Sequence, residues 1–122
     1  MNNRRIDLGK KGEDISVKFL KKQGYQIIER NYRCSLGEID IIAKDKNILC
    51  FVEVKTRNTE EYGLPEEAID GYKQKKLARA ALTYLKQKKI YEQDLRFDIV
   101  SVYPDRIELI KDAFVVDEGY TY

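Results

Sequence analysis

The run Ile48-Leu49-Cys50-Phe51-Val52-Glu53-Val54-Lys55 constrains the fold more than any other stretch of the chain. In an extended strand alternate residues share a face, so Ile48, Cys50, Val52 and Val54 line one side and Leu49, Phe51, Glu53 and Lys55 the other. Apolar residues on both sides require a strand covered above and below, at the centre of a sheet with helices on its faces. Into that strand the sequence puts a carboxylate and an ammonium on the same side, roughly 6.5–7 Å apart along the chain. Ionised groups in such surroundings are costly unless they are paired or bound to a metal.

The rest of the chain supplies elements to build around that strand. Asp7 to Gln23 carries Leu8, Gly12, Ile15 and Phe19 at helical spacing, and Gly24 supplies a stop. Strands are expected over Tyr25–Asn31, Glu38–Lys44 and Ile48–Arg57, the last two joined by a tight turn at Asp45-Lys46-Asn47. A polar loop spans 58–63, and Leu64-Pro65-Glu66-Glu67 opens a helical region running to about Lys89, with Gly71 as a potential break. Strands Leu95–Tyr103 and Arg106–Ile110 follow, joined by Pro104-Asp105. The order α-β-β-β-α-β-β predicts an α/β fold with a mixed sheet flanked by helices, and residues 1–122 form a single domain.

Three further charges stand where apolar residues are expected. Asp40 interrupts Glu38-Ile39-Asp40-Ile41-Ile42-Ala43, a strand that should lie beside the central one. A hairpin of this length brings Asp40 and Glu53 to the same end of neighbouring strands, provided the register does not slip by a residue. Glu13 falls within the apolar arc of the first helix, between Leu20 and Val17, and should face the sheet. Lys73 lies on the side of the second helix that carries Leu77, Ala80, Ala81 and Tyr84.

Composition removes several chemistries. The 122 residues include no histidine, which excludes His-based triads, His-ligated zinc and an imidazole base. Net charge is only +2, yet residues 1–33 hold nine basic against four acidic side chains, and 73–89 hold seven basic and no acidic ones. Segregation of this kind can build a positive surface on a nearly neutral protein. Cys34 and Cys50 have no CxxC spacing, and Cys50 reads as a buried thiol. No apolar run is long enough to span a bilayer, and the arginines at positions 4 and 5 precede no secretory core. The expectation is a cytoplasmic protein with no membrane partner.

Two chemistries fit the misplaced charges. Converging carboxylates suit a hard cation such as Mg²⁺ or Mn²⁺, which cancels their repulsion and acidifies a bound water. A nearby lysine can then orient that water or screen phosphate charge, and the set makes a phosphodiesterase. The other fit is a structural ion-pair network, Glu53 with Lys55 or with Arg57.

Asp40 followed by Glu53-Val54-Lys55 resembles the Asp…Glu-x-Lys signature of the PD-(D/E)XK nuclease superfamily, whose restriction endonuclease-like αβββαβ core the element order also resembles. Gly9-x-x-Gly12-Glu13, Arg30-Asn31-Tyr32-Arg33, Gly37-Glu38-Ile39-Asp40-Ile41-Ile42-Ala43, Phe51-Val52-Glu53-Val54-Lys55-Thr56-Arg57 and Arg96-Phe97-Asp98 are similar to the blocks of the small bacterial YraN-like proteins, which resemble archaeal Holliday-junction resolvases. The resemblance implies that Asp40 and Glu53 ligate the metal, with Glu13 and the Val54 carbonyl completing its shell, and that Lys55 orients the water. It implies a nuclease acting on DNA, with branched or repair and recombination intermediates as the expected substrates; a nuclease-like module that grips nucleic acid without cutting is the alternative. Symmetrical cuts in a four-way junction would need a homodimer.

Other basic residues are candidates for phosphate contacts. Lys75, Arg79 and Lys86 form a stripe opposite the apolar face of the second helix, readable as a solvated face or as a phosphate track. Lys73 would add to it. Arg30, Arg33 and Arg57 flank the site in sequence and can clamp phosphates or pair with Glu29 and Glu38. Asp98 reads as a structural partner of Arg96.

Overall fold

The computed structural model describes residues 3–57 and 69–115, with the side chains of 3–10 excepted. The expected loop at 58–63, the helical opening at Leu64-Pro65 and the tail from 116 lie outside the described residues. Helix α1 (Asn3–Lys22) is followed by strands β1 (Gln26–Cys34), β2 (Gly37–Asp45) and β3 (Ile48–Thr56). Helix α2 (Gly71–Lys88) then leads to β4 (Leu95–Val102) and β5 (Ile107–Ile110). The sheet order is β1-β2-β3-β4-β5, with β3 and β4 parallel and every other pair antiparallel. This is an α/β fold with a mixed five-stranded sheet, and its αβββαβ order is the one expected of a restriction endonuclease-like core.

The two faces of β3 are covered by different helices, as its apolar pattern requires. Val17 and Leu20 of α1 pack with Tyr25, Ile41, Ala43, Cys50, Val52, Val100 and Val102 on one face. Leu77, Ala80, Ala81, Tyr84 and Leu85 of α2 pack with Tyr32, Ile42, Leu49, Phe51, Phe97 and Ile99 on the other. Helix α1 begins four residues earlier than its apolar spacing suggests. It ends where expected, at Gly24, whose φ of +96° few side-chain-bearing residues adopt. Ile15 departs from the helical-wheel reading: it is exposed, so the arc that touches the sheet is narrower than the apolar arc.

Two local contacts fix where the helices sit. Gly12 lies against Thr56, and an added methyl would collide with Thr56 Oγ1. Overpacking of this kind costs ~1–3 kcal/mol, against a gain of ~1 kcal/mol in helix propensity. Gly12→Ala should therefore lower the melting temperature, and Thr56→Ala in the same chain should restore it. At α2, Asp70 caps the helix by accepting from the Lys73 backbone N–H at 2.9 Å. Loss of such a cap costs ~1 kcal/mol, so Asp70→Ala should melt a few degrees lower in a thermal scan.

The buried charge in β4 is structural, as its neighbours suggest. Asp98 is 1% exposed and accepts from Arg96 Nε at 2.8 Å, Tyr25 Oη at 2.8 Å and the Asp112 backbone N–H at 2.9 Å. Arg96 extends the network to Asp45 Oδ2 at 2.8 Å. Fully partnered charges of this kind are tolerated in a core, and here they tie the segment after β5 to the sheet.

Candidate active site

Strands β2 and β3 pair from Asp45↔Ile48 to Ile41↔Val52. The next residues along the two strands are Asp40 and Glu53, and there the ladder stops. The Val54 backbone N–H donates to Asp40 Oδ2 at 2.8 Å. A carboxylate thus takes the place of the backbone carbonyl that a continued ladder would supply.

The break is coordinated with β1. Arg30 pairs with Ile41 and Tyr32 with Ile39, which leaves Asn31 opposite Asp40. Arg30 reaches α1, through Glu13, whereas Tyr32 packs on Tyr84 of α2. Likewise Ile41 belongs to the core on the α1 side and Ile39 to the core on the α2 side. Residues two apart in a regular strand share a face, so alternation is interrupted at Asn31 and Asp40 together. Asn31 has φ +53°, in the left-handed region that asparagine tolerates better than most residues.

Asp40 and Glu53 meet as the register requires. Burial pushes the Glu53 carboxyl up to about 8, and a hydrogen bond and charge repulsion from Asp40 add to the effect; Lys55 and Lys73 work against it. The Lys55 ammonium is held below the ordinary lysine range by burial and by Lys73 beside it, with Glu53 and Asp40 opposing. A cleft of about 520 Å³ opens on the α2 side. Its lining includes four cations, Arg33, Lys55, Lys73 and Lys76, and two carboxylates, Glu38 and Glu53.

Glu13 faces the sheet as its position on the helix demands, but it is held elsewhere. Its Oε1 accepts from Arg30 Nε at 3.2 Å, Arg30 Nη2 at 3.1 Å and Asn31 Nδ2 at 2.9 Å. Among the described residues no three carboxylate or thiol groups are grouped to hold a metal ion. The expected three-carboxylate shell is thus not assembled, because a guanidinium and an amide already satisfy Glu13. Asn31 nevertheless stands across from Asp40, one strand away.

The basic residues divide. Lys73 and Arg33 line the cleft, Arg33 also lying 3.3 Å from Glu38 Oε2. Lys75 and Arg79 are exposed on α2 and are not among the residues lining it. Arg57 is buried at the end of β3, where its backbone N–H donates to Val102 O at 2.8 Å. Burial removes it from the exposed surface a phosphate clamp needs.

Three participants were missed by sequence reasoning. Lys76 follows Lys73 at a three-residue helical spacing that places both on one face, a signal that was available. Cys34 also lines the cleft, while Cys50 is buried as expected, its thiol pushed up to about 12 chiefly by burial. Ser101 lies beside Lys55 in the β3–β4 register, and its fully buried hydroxyl has no hydrogen-bond partner among the described residues.

Fold and site together define an α/β protein with a carboxylate pair and a lysine where two strands part above a cationic cleft. Residues 12–102 match the Uncharacterised protein family UPF0102, and the chain belongs to that family, the YraN family its blocks resemble. A UPF0102 protein of Desulfosudis oleivorans is 52% identical over 116 residues, covering 93% of this chain and 94% of its own. One from Geotalea daltonii is 50% identical over 112 residues, 88% of each chain. One from Clostridium kluyveri is 43% identical over 122 residues, 95% of this chain and all of its own. Among solved structures, that of SSO0001 aligns with a TM-score of 0.38 and 20% identity, over 78% of this chain and 42% of the other. No described helix is long and apolar enough to cross a membrane.

Proposed function

We propose that the chain is a Mg²⁺- or Mn²⁺-dependent nuclease that hydrolyses phosphodiester bonds in DNA, selecting branched or repair intermediates, and that it works as a homodimer where two symmetrical cuts are made. The observation that carries this reading is Glu53 and Lys55 lining a cleft with Arg33, Lys73 and Lys76, with Asp40 hydrogen-bonded to Glu53.

The donor chemistry fits a magnesium-type ion. Two half-buried carboxylates within hydrogen-bonding reach of each other repel when both are ionised, and Glu53 holds its proton to near pH 8 through burial first and Asp40 second. Mg²⁺ commonly takes one or two carboxylates and fills its other positions with water and substrate phosphate. Asp40 and Glu53 would hold it, with the Val54 carbonyl as a further oxygen. Bound there, such an ion neutralises the pair and lowers the pKa of a water.

The chain's own residues do the rest. The Val54 N–H fixes the Asp40 carboxylate through Oδ2. Lys55, whose proton is loosened by burial and by Lys73, orients the attacking water and faces the charge that develops on the phosphate. Arg33, Lys73 and Lys76 hold flanking phosphates, an attraction that reads no sequence and weakens with salt. Glu13 acts as a positioning residue through Asn31, which it holds opposite Asp40.

A second reading, a module that binds nucleic acid without cutting, is favoured by one observation: Glu13 is engaged by Arg30 and Asn31 rather than by the carboxylate pair. Incubating the protein with single-stranded, duplex and branched DNA, in Mg²⁺ or Mn²⁺ and in chelator, separates the two. Metal-dependent products support the nuclease. Salt-sensitive binding with intact DNA in every lane supports the module.

A further inference from the structure

Six large apolar side chains are exposed among the described residues: Ile15, Ile28, Leu36, Tyr72, Tyr91 and Val115. Isolated ones are ordinary on a protein surface. Leu36 and Tyr72 differ because each adjoins residues that line the cleft, without lining it themselves. Tyr72 is 70% exposed, immediately precedes Lys73, and has Lys76 Nζ 5.5 Å from its ring centroid. Leu36 is 48% exposed in the turn between Cys34 and Gly37, two residues that line the cleft. That turn is pressed onto α2 at Lys76: a Cβ added at Gly37 would stand 3.4 Å from the Lys76 carbonyl oxygen. Beside Lys76 the rim of the cleft therefore presents an exposed aromatic ring next to the cations Arg33, Lys73 and Lys76.

Cations interleaved with an exposed ring are the chemistry that holds unpaired nucleotides. The cations track the phosphates, and the ring stacks on a base. A continuous duplex keeps its bases stacked on one another and offers no free π-face to a side chain at the backbone. We propose that Tyr72 is a stacking platform for an unpaired nucleobase, so that the cleft prefers nucleic acid with a single-stranded stretch or a branch point over continuous duplex. The platform rests on the nuclease reading only in placing the neighbouring phosphates in the cleft.

The test is binding of the full-length protein, in chelator, to a short single-stranded oligonucleotide carrying 2-aminopurine and to a continuous duplex of the same sequence. Loss of the stacked ring should weaken single-strand binding of Tyr72→Ala by about tenfold or more and abolish 2-aminopurine quenching. Duplex binding should be unchanged, and Tyr72→Trp should restore the single-strand affinity. DNA and RNA strands run in parallel identify the nucleic acid, and sensitivity of either to Tyr72→Ala supports the platform. Wild-type affinity in Tyr72→Ala, or equal losses for single strand and duplex, would overturn it. Cleavage in Mg²⁺ with no Tyr72 effect sinks the platform alone. Quenching without cleavage leaves the platform standing and sinks the nuclease reading.

Discussion

In metal-free buffer Glu53→Gln should melt well above the wild type at pH 8 and level with it near pH 4. The folded-state Glu53 carboxyl is raised to about 8, chiefly by burial and then by Asp40, from the ordinary glutamate value of 4.5. Between those two values the folded chain binds a proton that the unfolded chain has released, so wild-type stability falls as pH rises through the window. Below it both states are protonated, and above it the full penalty of the ionised pair is present. Glutamine mimics the protonated acid, can donate to Asp40 and does not titrate. Its advantage should therefore open between about pH 4.5 and pH 8 and then level off, reaching roughly 2–4 kcal/mol. For a chain of this size that is a shift on the order of 10 °C. Differential scanning calorimetry across pH checks it. A flat difference between the two proteins from pH 5 to pH 8 would mean the pair is already neutralised by another group.

Lys55→Ala and Asp40→Asn should each reduce Mg²⁺-dependent cleavage by about 10²–10⁴-fold, with oligonucleotide binding in chelator changed far less. On the nuclease reading Lys55 faces the reacting phosphate, and its removal takes away one of the cations around the developing charge while Lys73 remains. Asp40→Asn keeps the shape but weakens the anionic half of the cation site. Lys75→Ala and Arg79→Ala provide the contrast, since both residues are exposed and neither is among those lining the cleft. These variants should cut at wild-type rates while lowering the salt dependence of binding if the stripe touches phosphate. A gel-based cleavage series with single-turnover rates distinguishes the two groups. Equal losses across all four variants would place the chemistry elsewhere.

Much of the fold was legible because its signals are local. The apolar faces of Ile48–Lys55 demanded a central strand, and β3 lies third of five. The turn at Lys46-Asn47 is short, so strand lengths bring Asp40 and Glu53 to the same end of neighbouring strands, and the Ile41↔Val52 pairing fixes the register they left open. Glu13 was recognisable as facing the sheet from the helical period.

The rest depends on contacts distant in sequence. The interruption of alternation at Asn31 and Asp40 is held by Glu13, 18 residues before Asn31. No strand period carries that information. The same contact diverts Glu13 from the carboxylate pair, so a residue rightly placed on a face still had the wrong partner. Arg57 flanks the site in sequence, which allows either a phosphate clamp or an acidic partner, and no local pattern discloses that it is buried. The role of Asp98 in fastening Asp112 rests on the return of the chain after β5, which a local reading cannot supply.

Titrating the metal-free protein with Mn²⁺ and reading bound ion by electron paramagnetic resonance tests the cation site most directly. The wild type should bind Mn²⁺, with Mg²⁺ competing, and Asp40→Asn and Glu53→Gln should each lose that binding while remaining folded. Undiminished Mn²⁺ binding in both variants, or none in the wild type at millimolar ion, would contradict a shared cation between the two strands.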